Sequence, residues 1–197
     1  MIHKIAELLR DEIADINFIE IAAGLAKPTP IYSKQDDGVI EKIVPIAYND
    51  LGIVCENDQL YPLVPDTRYM SVNWFEEQSL DMISEDTYYY HSRTVLRLIS
   101  WFNLPLINTS YTDASLLIAN IISTMPEKLT STDYLSQMRV TFLSEAVDGV
   151  LDKYAFAPAE NQITTHPYHV SGLDFAVDFA FGKNCVDAVT LSPTSCP

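Results

Sequence analysis

The chain has 197 residues, with 12 Lys plus Arg set against 27 Asp plus Glu, and so carries a formal charge of −15 at neutral pH. That balance argues against a general nucleic-acid binder or an anionic-membrane binder, because both rest on Lys and Arg displacing counterions from phosphates. Hydrophobic residues make up 48% of the chain and aromatic residues 11%, enough to bury a core, which argues against intrinsic disorder and for one folded domain.

In chain order, Ile2, Ile5, Leu9, Ile13 and Ile16 form one helical stripe, with Leu8 beside it and Lys4, Glu7, Arg10, Asp11, Glu12 and Asp15 mainly off it. The spacing predicts an amphipathic helix of about four turns. It is expected to stop near Gly24, with Lys27-Pro28-Thr29-Pro30 as an extended exit, since each proline disfavours a helical residue before it. After the turn dipeptide Asp37-Gly38 comes Val39–Tyr48, β-rich but interrupted by Pro45 and so read as an edge strand or two short ones. Asn49–Val64 reads as a loop-rich excursion, about 49–67 at its widest.

Tyr69–Gln78 alternates as a strand with mixed faces. Thr87–Phe102 is the longest β-like segment, with Leu96, Leu98 and Phe102 on one parity and Val95, Ile99 and Trp101 on the other. Pro105 breaks it, and Thr112 or Asp113 can then cap a helix that carries Leu116, Leu117, Ile121 and Ile122 and closes at Pro126. Tyr134–Ser144 reads as a strand, and Glu145–Lys153 as its extension by a short helix. The cleanest pattern is Leu173, Phe175, Val177, Phe179 and Phe181 alternating with Asp174, Ala176, Asp178, Ala180 and Gly182, which predicts an antiparallel strand with one wet face. Val189–Pro197 reads as a tail. Runs of adjacent strands with few helices give an α+β class: a mainly antiparallel sheet flanked by an N-terminal amphipathic helix and a central helix, in a single domain over 1–188 with a tail at 189–197.

Signatures of chemistry are sparse. No apolar run reaches the roughly 20 residues that span a bilayer, and Met1–Ile16 is too regularly charged for a signal-peptide core, so an intracellular protein without a membrane partner is expected. Cys55, Cys185 and Cys196 are widely spaced with no CxxC, suggesting neither a disulfide framework nor a zinc site. His166 and His169 form the nearest metal-like pair, but no acidic partner has ligand spacing. Asp174 and Asp178 share a parity and could face one surface, which a solvated sheet also explains. No GxSxG elbow, phosphate loop or dinucleotide fingerprint is present. The reading is therefore non-enzymatic, with no cofactor and no metal. Two alternatives stand beside it: a small intracellular hydrolase or ligand-binding protein with a site near His91, His166 and His169, and an adaptor that meets a basic partner through its negative surface.

Aromatic residues carry more information. Trp74, Phe75, Tyr88, Tyr89, Tyr90 and Trp101, with Phe102, exceed what two adjacent strands need for one face. They are either the core of a helix-covered sheet or the anchors of a subunit interface, for which aromatic rings are suited. Between the two strands, Glu76, Glu77, Asp81, Glu85 and Asp86 form an acidic, hairpin-like tip, read as a solvated loop or as a loop that docks on a neighbouring subunit or lines a channel.

In its order of elements the chain resembles the tail-terminator, tail-completion and head-to-tail joining proteins of tailed bacteriophages. The resemblance lies in the opening helix MIHKIAELLRDEI, the proline-rich exit, the strand-rich middle with its long excursion, the helix beginning TDASLLIANII and the late strand LDFAVDFAF. The residue style is similar to that of phages of Bacteroides-type hosts, including crAss-like phages, whose necks contain stacked rings. This likeness implies a structural virion protein, assembled in the host cytoplasm. It would form a cyclic homo-oligomer of six- or twelve-fold symmetry between portal, neck or tail rings, each subunit using two different patches for its neighbours. DNA would be present only as channel contents, and an acidic channel wall would let it slide. The excursion at 49–67 would be a docking arm.

Overall fold

The computed structural model describes residues 1–35, 38–49, 52–53, 55–56, 59–60, 62–132, 134–154 and 165–183. Helix α1, Ile2–Ala14, turns Ile5, Ala6, Leu9 and Ile13 fully inward, as its apolar stripe predicts. It ends well before Gly24, and the residues expected to continue it enter strand β1, Ile21–Gln35. The reason lies in the next strand over. Ser71 Oγ donates to the Phe18 carbonyl at 2.9 Å and accepts from the Glu20 amide at 3.1 Å, and Asn73 Nδ2 donates to the Ile21 carbonyl at 3.0 Å. These side chains take up backbone groups that a longer helix would have bonded internally.

The remaining elements are β2 (Gly38–Asn49), β3 (Gly52–Ile53), β4 (Cys55–Glu56), β5 (Gln59–Leu60), β6 (Ser71–Glu85), β7 (Tyr89–Asn103), α2 (Leu104–Ile107), α3 (Ser115–Thr124), β8 (Leu135–Ala146) and β9 (Tyr168–Gly182). One sheet has the order β3-β2-β1-β6-β7-β9-β8, and β4 pairs with β5 separately. Every pairing is antiparallel except β1 with β6, so the α+β class with a mainly antiparallel sheet holds. The N-cap of α3 is Ala114, not Thr112 or Asp113 as expected; Asp113, one residue before it, accepts the Ser115 amide with its Oδ1 at 2.8 Å and so braces the approach to the helix. The Glu145–Lys153 segment contains no helix: β8 runs on to Ala146, and turns follow. The tail at 189–197 lies outside the described residues.

The prolines do not interrupt the β1–β2 ribbon. Pro28 pairs with Pro45, and the Pro45 carbonyl points away from β1 to accept the Leu63 amide at 2.8 Å. The two prolines therefore occupy a non-hydrogen-bonded pair, where neither needs a ladder donor.

Two cores sandwich the sheet. On the helix side, α1 and α3 cover Phe75, Leu96, Leu98, Phe102, Leu173, Phe175 and Val177. On the opposite side, Trp74, Ile99 and Trp101 are covered by Leu63, Val150 and Tyr154 from connecting segments. This second core explains why both parities of β7 are apolar.

Candidate functional site

The aromatic residues singled out in the sequence divide sharply. Trp74, Phe75 and Trp101 are wholly buried, the tryptophans in the core opposite the helices and Phe75 beneath them. They are corrected from interface to core: two cores, one on each face, use up the aromatic excess. Trp101 stacks on Tyr168 with centroids 5.4 Å apart, and Trp74 meets Tyr154 edge-on at 6.0 Å. Tyr90 is half-buried against Phe181 at 5.4 Å. Only Tyr88 and Tyr89, at the turn between β6 and β7, remain exposed.

The acidic tip is a strand rather than a loop. β6 continues to Glu85, so Glu76, Glu77, Asp81 and Glu85 are strand residues and only Asp86 lies in the turn. The Asp86 carboxylate accepts the amides of Tyr88 and Tyr89, both at 2.7 Å, and pairs with His91 Nε2 at 3.1 Å. The His91 hydrogen bond, then the two amides, lower its pKa to about 2.

Glu76 is 2% exposed and cannot dock on anything. Its Oε1 accepts Trp74 Nε1 at 3.2 Å and the Tyr154 hydroxyl, and its Oε2 pairs with the Lys153 ammonium. Burial, and next the neighbouring carboxylate, push the Tyr154 pKa well above that of an ordinary phenol. The cluster ties the 147–154 segment to the sheet. Beside it β1 parts from β6 after the Leu25–Phe75 pair, opening a cleft of about 290 Å³ that Lys27, Glu76, Ser79 and Lys153 help to line.

On the same face, Arg97 grips Asp174 through two hydrogen bonds of 2.7 and 2.9 Å, and Arg93 grips Asp178 through two of 2.6 and 2.9 Å. The two aspartates thus serve separate arginines on the neighbouring strand and do not converge as an acid–base pair.

Nor do His91 and His169 meet. His91 pairs with Ala180 of β9 and His169 with Phe102 of β7, so they stand eleven strand positions apart, about 36 Å at the usual rise per residue. His169 lies beside a cleft of about 350 Å³ lined partly by Asp148 and Asp152. Among the described residues no group of three or more His, Cys, Asp or Glu is arranged to hold a metal ion, and no helix is long and apolar enough to cross a membrane.

The surface that the sequence did not reveal is a pair of strand edges that no other strand covers among the described residues, the outer half of β6 and the end of β8. Beyond Phe75, β6 has lost β1 as a neighbour and exposes Leu80, Met82 and Ile83. At the other edge, Phe142, Leu143 and Val147 are exposed in and just after β8. Register shifts leave Gln78, Ile83 and Leu143 without a partner across the ladder. Each such bulge reverses the parity of the residues after it, so simple alternation misplaces them. No family model, curated protein or solved structure matches the chain.

Proposed function

We propose that this chain is a structural virion subunit that forms a ring in the head-to-tail connector or tail-terminator region of a tailed phage, around the DNA channel. The observation that carries the self-assembly part is the outer half of β6. Among the described residues no strand lies along its edge where β1 turns away, and Leu80, Met82 and Ile83 stand there at least half exposed, near the turn that carries Tyr88 and Tyr89. An open strand with exposed apolar side chains is a surface that proteins ordinarily cover, and a neighbouring subunit is an economical cover. The location in a virion rests on the order of elements: the opening amphipathic helix, the proline-bearing exit, the strand-rich middle, the TDASLLIANII helix and the final alternating strand. The charge of −15 suits a wall past which DNA slides without being held.

Light scattering on the purified chain, with negative-stain electron microscopy of the same sample alone and mixed with proteins encoded beside it, tests the reading. Closed rings are expected. A monomer under both conditions that joins no particle overturns it.

A further inference from the structure

We propose that neighbouring subunits join head to tail by extending the sheet, the open edge of β6 in one copy lying against the open edge of β8 in the next. This inference rests on the reading of the chain as a self-assembling subunit and names the surface it uses.

Strand direction is the first support. The strands β6, β7, β9 and β8 alternate without exception, so the two outer strands of this set run in opposite directions. A second copy placed beside β8 without being turned over presents its β6 antiparallel to β8, with helix sides matched. Such a contact uses two different patches, so it repeats around a ring rather than ending at a dimer.

The open backbone is the second support. On β8, residues 138–140 are already paired: the Leu129 amide donates to the Met138 carbonyl at 3.2 Å, and the Val140 amide donates to the Glu127 carbonyl at 2.9 Å. The stretch from Thr141 to Ala146 has no strand outside it among the described residues. Neither has β6 from Gln78 to Glu85. By contrast, the edge of β1 that faces β6 beyond their parting carries Pro28, which has no amide to donate.

Side-chain complementarity is the third. Through the ladder, Phe142, Leu80 and Met82 all lie on the helix side: Phe142 pairs with Phe175, Leu80 with Thr94 and Met82 with Ser92. Setting Phe142 of one copy opposite Met82 of the next covers three exposed apolar side chains, Leu80 among them. The register also steps each copy along the strand axis, and stagger with tilted strands is what closure of a sheet requires.

Disulfide trapping tests the contact on full-length chain: a Phe142→Cys preparation mixed with a Met82→Cys preparation under mild oxidation should give peptides that link position 142 of one chain to position 82 of the other. Within one subunit these positions lie on strands three spacings apart, about 14 Å, too far to join. Leu80→Glu with Met82→Glu should weaken assembly at least about tenfold while leaving the circular dichroism unchanged, as should Phe142→Glu, since each puts a charge where the contact buries apolar side chains. Rings that persist in both variants overturn the proposed contact and leave the ring reading standing. A wild-type chain that stays monomeric alone and with its neighbours overturns both.

Discussion

The hydroxyl of Tyr154 donates to the carboxylate of Glu76 in the core opposite the helices, fastening the turn segment after β8 to the middle of the sheet. A hydrogen bond to a charged acceptor contributes about 1.5–3 kcal/mol when its loss leaves the acceptor under-satisfied. Tyr154→Phe should therefore lower unfolding stability by about that amount with the ring contact to Trp74 retained. Urea denaturation checks it, and an unchanged midpoint would show that the bond contributes nothing net.

Trp101 and Tyr88 should separate stability from assembly. Trp101→Ala empties a fully buried site and should cost about 3–5 kcal/mol, whereas Tyr88→Ser alters a side chain 73% exposed and should stay within about 0.5 kcal/mol of the native value. Thermal melts of both variants test the division; a large loss at Tyr88 would mean that the turn is braced by that ring.

Gly172 lies where a methyl group would be crowded. A Cβ there would sit 3.0 Å from Arg97 Cδ and 3.3 Å from Val150 Cγ2, and Arg97 is held by its two bonds to Asp174. Gly172→Ala should destabilise by about 1–3 kcal/mol through that crowding. Pairing it with Arg97→Ala should recover part of the loss, read from the double-mutant cycle.

His169 should give the fold a weak acid sensitivity. Burial lowers its pKa below the ordinary 6.5, against the opposing pull of the Glu145 and Asp113 carboxylates. The folded chain thus resists a proton that the unfolded chain accepts, so this contribution is complete above pH 6.5 and is lost as the pH falls toward the folded value. Melting temperatures taken down from pH 7 should decline less in His169→Gln than in the parent. Parallel curves would remove His169 as a source of the slope.

Thr29 tests the account of the proline ribbon. Thr29 pairs with Val44, one step along from the Pro28–Pro45 pair, and so at a position that exchanges ladder hydrogen bonds. Thr29→Pro should loosen the ribbon where the native Pro28 does not, seen as faster amide exchange in β1 and β2. Equal protection in variant and parent would refute the assignment.

What the residues disclosed depended on how local the governing physics is. The α1 stripe and the β9 alternation are periodic, and both elements stand where the pattern puts them, but the β9 face expected to be wet is largely closed: Ala176 and Ala180 are buried, and Asp174 and Asp178 are taken up by Arg97 and Arg93. The end of α1 was illegible because Ser71 and Asn73, some fifty positions away, decide it. Trp74 and Trp101 looked like interface anchors because the core that buries them is built from Leu63, Val150 and Tyr154, segments without periodicity of their own. The acidic run of β6 read as a loop for a related reason: both faces of its outer half are exposed and no strand lies along its outer edge among the described residues, so its composition is that of a surface.

The position of β9 between β7 and β8 sets the timetable of folding. Tyr89 waits for Gly182, and Asn103 for Tyr168, so the ladder at the centre of the sheet closes only across loops of many tens of residues. Until that strand leaves the ribosome, the apolar flank of β7 has no cover, and β8 has nothing to lie against. Such long-range closure is slow, so the nascent chain is open to wrong pairings until β9 has been made and seated, and a chaperone or a prompt partner would matter most in that interval.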